Sequence, residues 1–236
     1  MKGTSNVDPG EIGRFERIAA TWWNPNGEMA PLHVINPVRV RYIERAAGPL
    51  KGKAAVDIGC GGGLLSEALA ARGAAVTGVD LAEDLLAAAR AHLKVSKLSV
   101  DYRAMPAEAL AAEKPGAFDL VTCLEMLEHV PDPAAIVAAC AKLARPGAPI
   151  VFSTLNRNAK AYALAIVAAE YVLGLLPRGT HDYARFIRPS ELERWARAAG
   201  LDVVEIRGLA YNPLLKSASL SDDCDVNYLM LCKKGV

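Results

Sequence analysis

The chain has 236 residues, of which 27 are basic and 26 acidic, so its formal net charge is +1. Hydrophobic residues make up 52% of the chain and charged residues 22%, a globular composition that excludes disordered and fibrous proteins. The near-neutral balance gives no general attraction to nucleic acid, and we expect no nucleic-acid partner. At roughly 100–200 residues per domain, the length suits one α/β domain over residues 1–236 better than two small ones.

Cysteine usage predicts a reducing compartment. The five cysteines are odd in number, widely spaced and without a C-x-x-C motif, so a disulfide framework or a structural zinc site is not expected. The first residues lack the apolar core of a secretory signal peptide, and no run of about 20 uncharged apolar residues occurs. These observations favour a cytoplasmic protein.

The middle of the chain alternates strand-like and helix-like segments in the order of βαβ units, which is typical of a mostly parallel sheet covered on both faces. The first strand ends in glycines, Gly73 closes the first helix, and Arg145-Pro146-Gly147 stops the third. The predicted strands are 54–58, 75–80, 98–103, 118–123 and 149–154, and the predicted helices are 64–72, 83–93 and 133–144.

The two flanks of this core differ from it. Residues 1–50 are predicted to form an N-terminal helical cap, and an apolar helical pattern is inserted after the fifth strand, within residues 159–188. The tail predicts a helix at 189–199, then strands at 202–208 and 226–233 joined by a long loop. Because no helix separates these last two strands, they are expected to pair antiparallel at the edge of the sheet.

The strongest local signal is the run V-D-I-G-C-G-G-G at 56–63, between a strand and a helix. Glycines let a backbone turn sharply and approach a ligand closely. The dinucleotide fingerprint G-x-G-x-x-G fails here, because its third glycine would fall on Leu64 or Ser66, and no Gly-Lys-Ser/Thr follows to make a P-loop. The loop is therefore predicted to hold a ligand other than a pyrophosphate.

Two carboxylates narrow the choice of ligand. Asp57 beside the loop would repel a pyrophosphate but suits a cation, and S-adenosylmethionine carries a sulfonium and an ammonium group without phosphate. Asp80 ends the second strand, 21 residues after Gly59, where an acidic residue of the dinucleotide folds accepts ribose hydroxyls. The alternative is that both aspartates are helix-capping or turn residues.

The D-x-G-x-G pattern followed by an acidic strand end resembles the class I S-adenosylmethionine-dependent methyltransferases. The segments F-D-L-V-T-C at 118–123 and L-A-R-P-G-A at 143–148 are similar to the family's fourth strand and to its turn into the fifth. The resemblance implies a Rossmann-like α/β fold with a seven-stranded, mostly parallel sheet whose last strand is antiparallel, here with N-terminal helices and an inserted apolar helix.

Six further segments together resemble the ubiquinone-biosynthesis O-methyltransferases. The resemblance covers nearly the whole chain and implies O-methylation of polyprenylated phenols at two steps of the pathway. It also implies a ubiquinone-biosynthesis complex among the partners. The segments are W-W-N at 22–24, L-H-V-I-N-P-V-R at 32–39, L-E-M-L-E-H-V-P-D-P at 124–133, S-T-L-N-R-N at 153–158, G-T-H-D at 179–182 and Y-N-P at 211–213.

By this resemblance four residues fall at the family's cofactor positions: Arg39, Gly59, Asp80 and Leu124. Arg39 can bind the methionine carboxylate as a fork, although it could also be a surface ion-pair partner. Leu124 can offer backbone groups and an apolar wall; the family often has Met there. Met105 is a candidate wall of the adenine pocket or, equally, a core residue. The predicted cofactor set is Arg39, Asp57, Gly59, Gly61, Asp80, Met105 and Leu124.

Methyl transfer to a phenol needs the phenolate, because a free phenol with a pKa near ~10 is almost wholly protonated at pH 7. Glu125, Glu128 and His129 would share one face of a helical turn. They could hold a divalent cation (Mg²⁺, Mn²⁺ or Zn²⁺), act as the base, or only orient the loop. His33 and His181 are alternative bases.

The run A-Y-A-L-A-I-V-A-A-E-Y-V-L-G-L-L at 161–176 has a single charge, Glu170. It is too short to cross ~30 Å of hydrocarbon, but an apolar helix with basic flanks can lie in an anionic membrane surface. Residues 159–188 are therefore predicted to be both a lid and a membrane contact, which would place the protein peripherally on the membrane. The same pattern would also fit a buried core helix or a dimer interface.

The residues give less support to other functions. A class I enzyme acting on a different small phenol or acid is the first alternative, and a non-catalytic cofactor-binding scaffold is the second. Retention of the acidic loop, Arg39 and the Glu125–His129 cluster together argues against the scaffold. A dinucleotide oxidoreductase is disfavoured by the glycine pattern, and an RNA methyltransferase by the absence of an aromatic and basic patch.

Overall fold

The computed structural model describes residues 6–163 and 182–235. Residues 164–181 carry most of the predicted lid and the candidate base His181, and these predictions lie outside the described residues. The strands are β1 Ala54–Ile58, β2 Ala75–Asp80, β3 Val100–Ala104, β4 Leu120–Leu124, β5 Pro149–Leu155, β6 Leu201–Asn212, β7 Ser217–Ser221 and β8 Asn227–Lys234; the helices are α1 Pro9–Glu16, α2 Ala30–Ala47, α3 Leu64–Ala70, α4 Glu83–Ser96, α5 Ala107–Glu113, α6 Pro133–Leu143, α7 Ala159–Ala161 and α8 Pro189–Ala198.

The strands form one sheet in the order β3-β2-β1-β4-β5-β8-β6-β7. Strands β1 to β5 are mutually parallel, and β8 runs antiparallel to both β5 and β6. Every residue of β4 and β5 is buried, which is the burial expected for strands covered by helices on both faces. The predicted mostly parallel α/β sheet with an antiparallel end is confirmed.

The predicted strand count and edge were wrong. The sheet has eight strands because β7, in the predicted loop, pairs antiparallel with an extended β6 from Gly208↔Ser221 to Asn212↔Ser217. Its sequence S-A-S-L-S lacks a run of large apolar residues, since it has a neighbour on one side only and is partly exposed. The predicted β6–β8 pair therefore lies inside the sheet, and β7 forms the edge.

The sheet order creates a crevice beside β1. Strands β1 and β4 are neighbours, and the connections that leave them run in opposite directions along the sheet, from β1 to β2 and from β4 to β5. In open α/β sheets a ligand binds outside the carboxyl ends of the strands at such a switch point. The glycine loop follows β1 and lies at this place.

The N-terminal residues pack onto the glycine loop through the Trp22-Trp23 pair. A Cβ atom at Gly62 would overlap the indole of Trp22. The Trp23 Nε1–H donates to the Gly62 carbonyl at 2.9 Å, and its ring stacks on His92 with centroids 3.4 Å apart and planes within 4°. Two aromatic rings thus fix the N-terminal segment to a surface that only glycine leaves free.

Gly63 is where the loop turns into α3, and it allows a test of the packing below the loop. Its φ is +87°, and an added Cβ would overlap the Tyr102 hydroxyl. We expect Gly63→Ala to lower the free energy of unfolding by roughly 2–4 kcal/mol, through left-handed strain and overpacking together. Urea denaturation followed by fluorescence measures this loss.

Gly116 provides the matched control, because its φ is +63° but an added Cβ meets nothing within 4 Å. Gly116→Ala should cost only the backbone strain of about 1–2 kcal/mol. Equal losses at the two positions would contradict close packing of Tyr102 against the loop.

Candidate active site

A cavity of about 640 Å³ opens at the carboxyl ends of β1, β2 and β4. It is within the size range of small-molecule and cofactor sites. The N-terminal helices close one side, and β6 with the segment before β8 closes the other. All ten predicted site residues line it: Arg39, Asp57, Gly59, Gly61, Asp80, Met105, Leu124, Glu125, Glu128 and His129.

Asp80 ties the end of β2 to the glycine loop. Its Oδ2 accepts from the Gly61 N–H at 2.8 Å, and its Oδ1 accepts from the Ala82 N–H at 2.9 Å. Burial raises the pKa of Asp80, and these backbone N–H groups act in the opposite direction. Each carboxylate oxygen has a second lone pair, so Asp80 serves as a turn residue and still has acceptor capacity toward the cavity.

Asp57 is held from two sides below the loop. The Ser66 hydroxyl donates to its Oδ2 at 2.7 Å and the Thr122 hydroxyl to its Oδ1 at 2.8 Å. Burial raises the pKa of Asp57 to about 6, although both hydroxyl groups favour the ionised form. The carboxylate is therefore mostly ionised at pH 7. These bonds go to side chains, so Asp57 is not a helix-capping residue.

Arg39 extends from α2 into the cavity and is only 6% exposed, so it is not a surface ion-pair partner. Its Nη2 lies 2.7 Å from Oε1 of Glu125. The Nε–H of the same guanidinium is buried and has no hydrogen-bond partner among the described residues. A buried donor without a partner costs free energy, so this group fits an incoming carboxylate.

Glu125 adopts an unusual backbone conformation directly after β4. Its φ is +51°, a region that residues other than glycine rarely occupy, and its N–H donates to the Ser153 carbonyl at 2.9 Å. The carboxylate accepts hydrogen bonds from Arg39, from the Ser153 hydroxyl and from Nδ2 of Asn227. Such strain persists only where neighbours hold it, and here three donors do so.

The predicted metal site is not assembled. The left-handed φ of Glu125 and a short 3₁₀ turn at Leu127–His129 replace the helical turn that would have put the three side chains on one face. The three side chains have different partners. Glu125 pairs with Arg39, Glu128 accepts from the Thr154 hydroxyl at 2.8 Å, and Nδ1 of His129 faces Glu11. Across residues 6–163 and 182–235, no group of three or more His, Cys, Asp or Glu side chains is placed to hold a metal ion.

His129 pairs with a residue from the N-terminal helix. Its Nδ1 lies 2.8 Å from Oε2 of Glu11 on α1, and the ring packs edge-on to Phe15. Burial alone lowers the pKa of His129, but the Glu11 hydrogen bond and the charge of Glu128 outweigh it, so the pKa is raised. Glu11 orients the ring and leaves Nε2 without a protein partner among the described residues.

Glu128 is more deeply buried than Glu125, with 4% of its surface exposed. Burial and the negative charge of Glu125 raise the pKa of Glu128 to about 7. The Glu128 carboxyl is therefore partly protonated near neutral pH. Glu128 and His129 are adjacent in the chain, and the pKa of each is raised.

The predicted alternative base His33 does not line the cavity. Its Nε2 lies 2.9 Å from the carbonyl oxygen of Trp22, and its ring packs edge-on to Trp23. It is therefore a packing residue of the N-terminal cap.

Met105 and Leu124 line the cavity, as the sequence predicted for a cofactor wall, and Leu124 is the last residue of β4.

Several residues of the site were not predicted from the sequence. Glu11 is 118 positions from His129, and Asn227 is 102 positions from Glu125, so no local spacing connects them. Trp22 was noted only as part of a resemblance. Apolar residues, most of them from the two flanks of the chain, also line the cavity: Ile12, Phe15, Met29, Leu32, Ile35, Leu155, Leu209, Tyr211, Pro213 and Val226.

A family model described as a methyltransferase domain matches residues 34–206. The ubiquinone biosynthesis O-methyltransferase of Burkholderia pseudomallei (strain 1710b) is 59% identical over 98% of this chain and 99% of its own length. That of Pseudomonas aeruginosa PAO1 is 57% identical over 98% and 99%. The matches therefore cover nearly the whole length of this chain and of each relative.

Solved structures with low sequence identity share the fold. A methyltransferase of Thermotoga maritima, described as S-adenosylmethionine-dependent, has a TM-score of 0.69 at 18% identity over 95% of this chain and 99% of its own. Magnesium protoporphyrin IX methyltransferase of Synechocystis PCC 6803, solved with bound S-adenosylhomocysteine, has a TM-score of 0.60 at 18% identity over 99% and 90%. With these matches, the chain belongs to the ubiquinone biosynthesis O-methyltransferases within the class I S-adenosylmethionine-dependent methyltransferases.

Proposed function

We propose that this chain transfers the methyl group of S-adenosylmethionine to a phenolic oxygen of polyprenylated intermediates of ubiquinone biosynthesis, at two steps of that pathway. The observation that carries the proposal is a single cavity in which Asp80 and Arg39 lie at the glycine-loop end and the Glu11–His129 pair lies among apolar walls. When bound, the cofactor supplies a methyl group already activated on a sulfonium. The protein must align the two reactants and help remove the phenol proton.

The glycine-loop end has the donors and acceptors that S-adenosylmethionine requires. Asp80 can accept from the ribose hydroxyls with its unused lone pairs. The unpaired Nε–H of Arg39 can donate to the methionine carboxylate, while Glu125 holds the other side of the guanidinium. Asp57 is ionised below the loop and favours a cationic ligand. Met105 and Leu124 are the apolar walls for the adenine.

The proton of the phenol is assigned to Nε2 of His129. Nδ1 faces Glu11, which fixes the tautomer and stabilises the imidazolium that forms when the proton arrives. The negative charges of Glu11 and Glu128 raise the basicity of the ring. We assign Glu125 to positioning Arg39.

The protein is proposed to act from the cytoplasm at an anionic membrane surface, since a polyprenylated phenol is dissolved in lipid. No helix of the described residues is long and apolar enough to cross a bilayer. The basic flanks of residues 161–176 support a surface contact, and a ubiquinone-biosynthesis complex remains the proposed protein partner. Methyl transfer from labelled S-adenosylmethionine to a short-chain prenylated catechol tests the activity; no transfer to that catechol would contradict it.

The roles assigned to Asp80 and Arg39 can be distinguished by measuring the binding of two ligands. S-Adenosylhomocysteine carries both ribose and amino-acid groups, whereas 5′-methylthioadenosine keeps the ribose and lacks the carboxylate. Asp80→Ala should weaken binding of both ligands roughly tenfold or more, because charge-assisted hydrogen bonds to the ribose are lost. Arg39→Ala should weaken only S-adenosylhomocysteine, by a similar factor. Calorimetric titration measures the four affinities.

Asp119→Ala is the control for these variants. Asp119 also accepts from a backbone N–H, that of Ala54, but it lies at the opposite end of the sheet and outside the cavity. It should leave both affinities unchanged. An Arg39 variant that weakens the two ligands equally would contradict the carboxylate assignment.

The role of Glu11 predicts a change in rate and in its pH dependence. Glu11→Gln should lower kcat roughly tenfold or more while leaving the affinity for cofactor unchanged. Because Glu11 raises the pKa of His129, its loss lowers that pKa, and the acid limb of the kcat profile should move to lower pH. Steady-state kinetics between pH 5 and 9 measure both effects.

Asp8→Asn is the matched variant. Asp8 caps α1 and pairs with Arg185 at 2.7 Å but makes no contact with His129. Asp8→Asn should destabilise α1 without moving the acid limb of the kcat–pH profile. The assignment of His129 as base fails if both variants change the rate equally and neither moves the pH profile.

A further inference from the structure

The turn between β6 and β7 exposes two large apolar side chains. Leu214 is 89% exposed and Leu215 is 75% exposed, among the highest values for large apolar residues in the described part of the chain. Residues 213–216, P-L-L-K, are here called the hairpin tip. Single exposed leucines are ordinary on a protein surface, but two adjacent ones at the end of a hairpin form a small apolar patch.

The hairpin tip has a defined conformation. Oδ1 of Asn212 accepts from the N–H of Leu214 and from the N–H of Leu215, each at 3.0 Å. Lys216 closes the turn with a φ of +44°. An asparagine side chain that replaces a backbone acceptor in this way stabilises a tight turn. The two leucines are thus held outward by the turn rather than left on a loose loop.

The hairpin tip lies at the apolar end of the cavity. Leu209 and Tyr211 on β6 and Pro213, the first residue of the tip, line the cavity, whereas Leu214 and Leu215 do not. The apolar wall of the cavity therefore continues along β6 toward the two exposed leucines. Lys160, at the start of the inserted segment, lines the same cavity. A long apolar tail leaving the cavity along β6 would reach the hairpin tip.

The charges near this hairpin do not oppose an anionic surface. Lys216 is the charged residue of the tip itself. The aspartates after β7 are paired with cations: Asp222 lies 2.8 Å from Arg207, and Asp223 and Asp225 are both within ion-pair distance of Lys160. These pairs neutralise most of the acidic charge behind the tip.

We propose that the hairpin tip enters the surface of a lipid bilayer and holds the apolar end of the cavity against it, so that a lipid-dissolved substrate passes along β6. This inference rests on the proposed function. A second copy of the chain is a poorer occupant, because two leucines offer far less than the ~1,200–2,000 Å² of a stable interface. Weak, reversible binding to a bilayer needs only a small apolar area with adjacent positive charge.

The test uses the double variant Leu214→Asp/Leu215→Asp and the control Val95→Asp. Val95, on α4, is 75% exposed and far from β6 in the sheet order, so it removes a comparable exposed apolar side chain elsewhere. Flotation with phosphatidylcholine vesicles, with and without phosphatidylglycerol, measures binding. Methyl transfer is measured on a long-tailed phenol in the same vesicles and on a short-chain water-soluble catechol.

We expect the unmodified protein and the Val95 variant to float, and the double variant to bind vesicles at least tenfold more weakly. The double variant should lose a similar factor in activity on the vesicle-borne phenol and none on the soluble catechol. Equal flotation and equal vesicle activity of all three proteins would overturn the proposal. So would a change in sedimentation mass on mutation, because the leucines would then contact a second copy. Activity on the soluble catechol tests the proposed function separately.

Discussion

The site depends on a loop, residues 59–63, in which every residue except Cys60 is glycine. At 59–63 the chain leaves β1, turns with positive φ at three glycines and enters α3. Asp80 accepts a hydrogen bond from this loop on one side, and Trp22 covers it on another. A Cβ at Gly62 would overlap the indole of Trp22, so the N-terminal cap can pack on this loop only because Gly62 has no side chain.

The chemistry of the cavity comes from charged pairs that join distant segments. Arg39 of α2 pairs with Glu125 after β4, and Glu11 of α1 pairs with His129. In a partly buried site, removing one partner leaves a charge with little solvation, which is strongly destabilising. Each pair therefore does two things: it attaches the N-terminal segment to the sheet, and it sets the orientation of a side chain that faces the cavity.

The two ends of the cavity suit the two reactants of the reaction. The glycine-loop end is polar and is built on strand ends that the sheet holds rigidly. The other end is lined by apolar residues of α1, α2 and β6. An S-adenosylmethionine site beside an apolar passage is what methylation of a prenylated phenol requires. The hairpin tip follows directly on the part of β6 that lines this apolar end.

The sequence alone determined the α/β class, the strand ends and the glycine loop, because local periodicity and glycine positions specify them. It also located all ten predicted residues at one cavity, since the carboxyl ends of parallel strands meet at one edge. It could not show that Glu125 has a left-handed φ, and the helical turn assumed there predicted a metal site that is not assembled. Only the tertiary structure brought Glu11 to His129 and Asn227 to Glu125 and paired β7 with β6. The physical reason is that these contacts join residues too far apart in the chain for any local pattern to record, or, for β7, involve a strand too exposed to carry one.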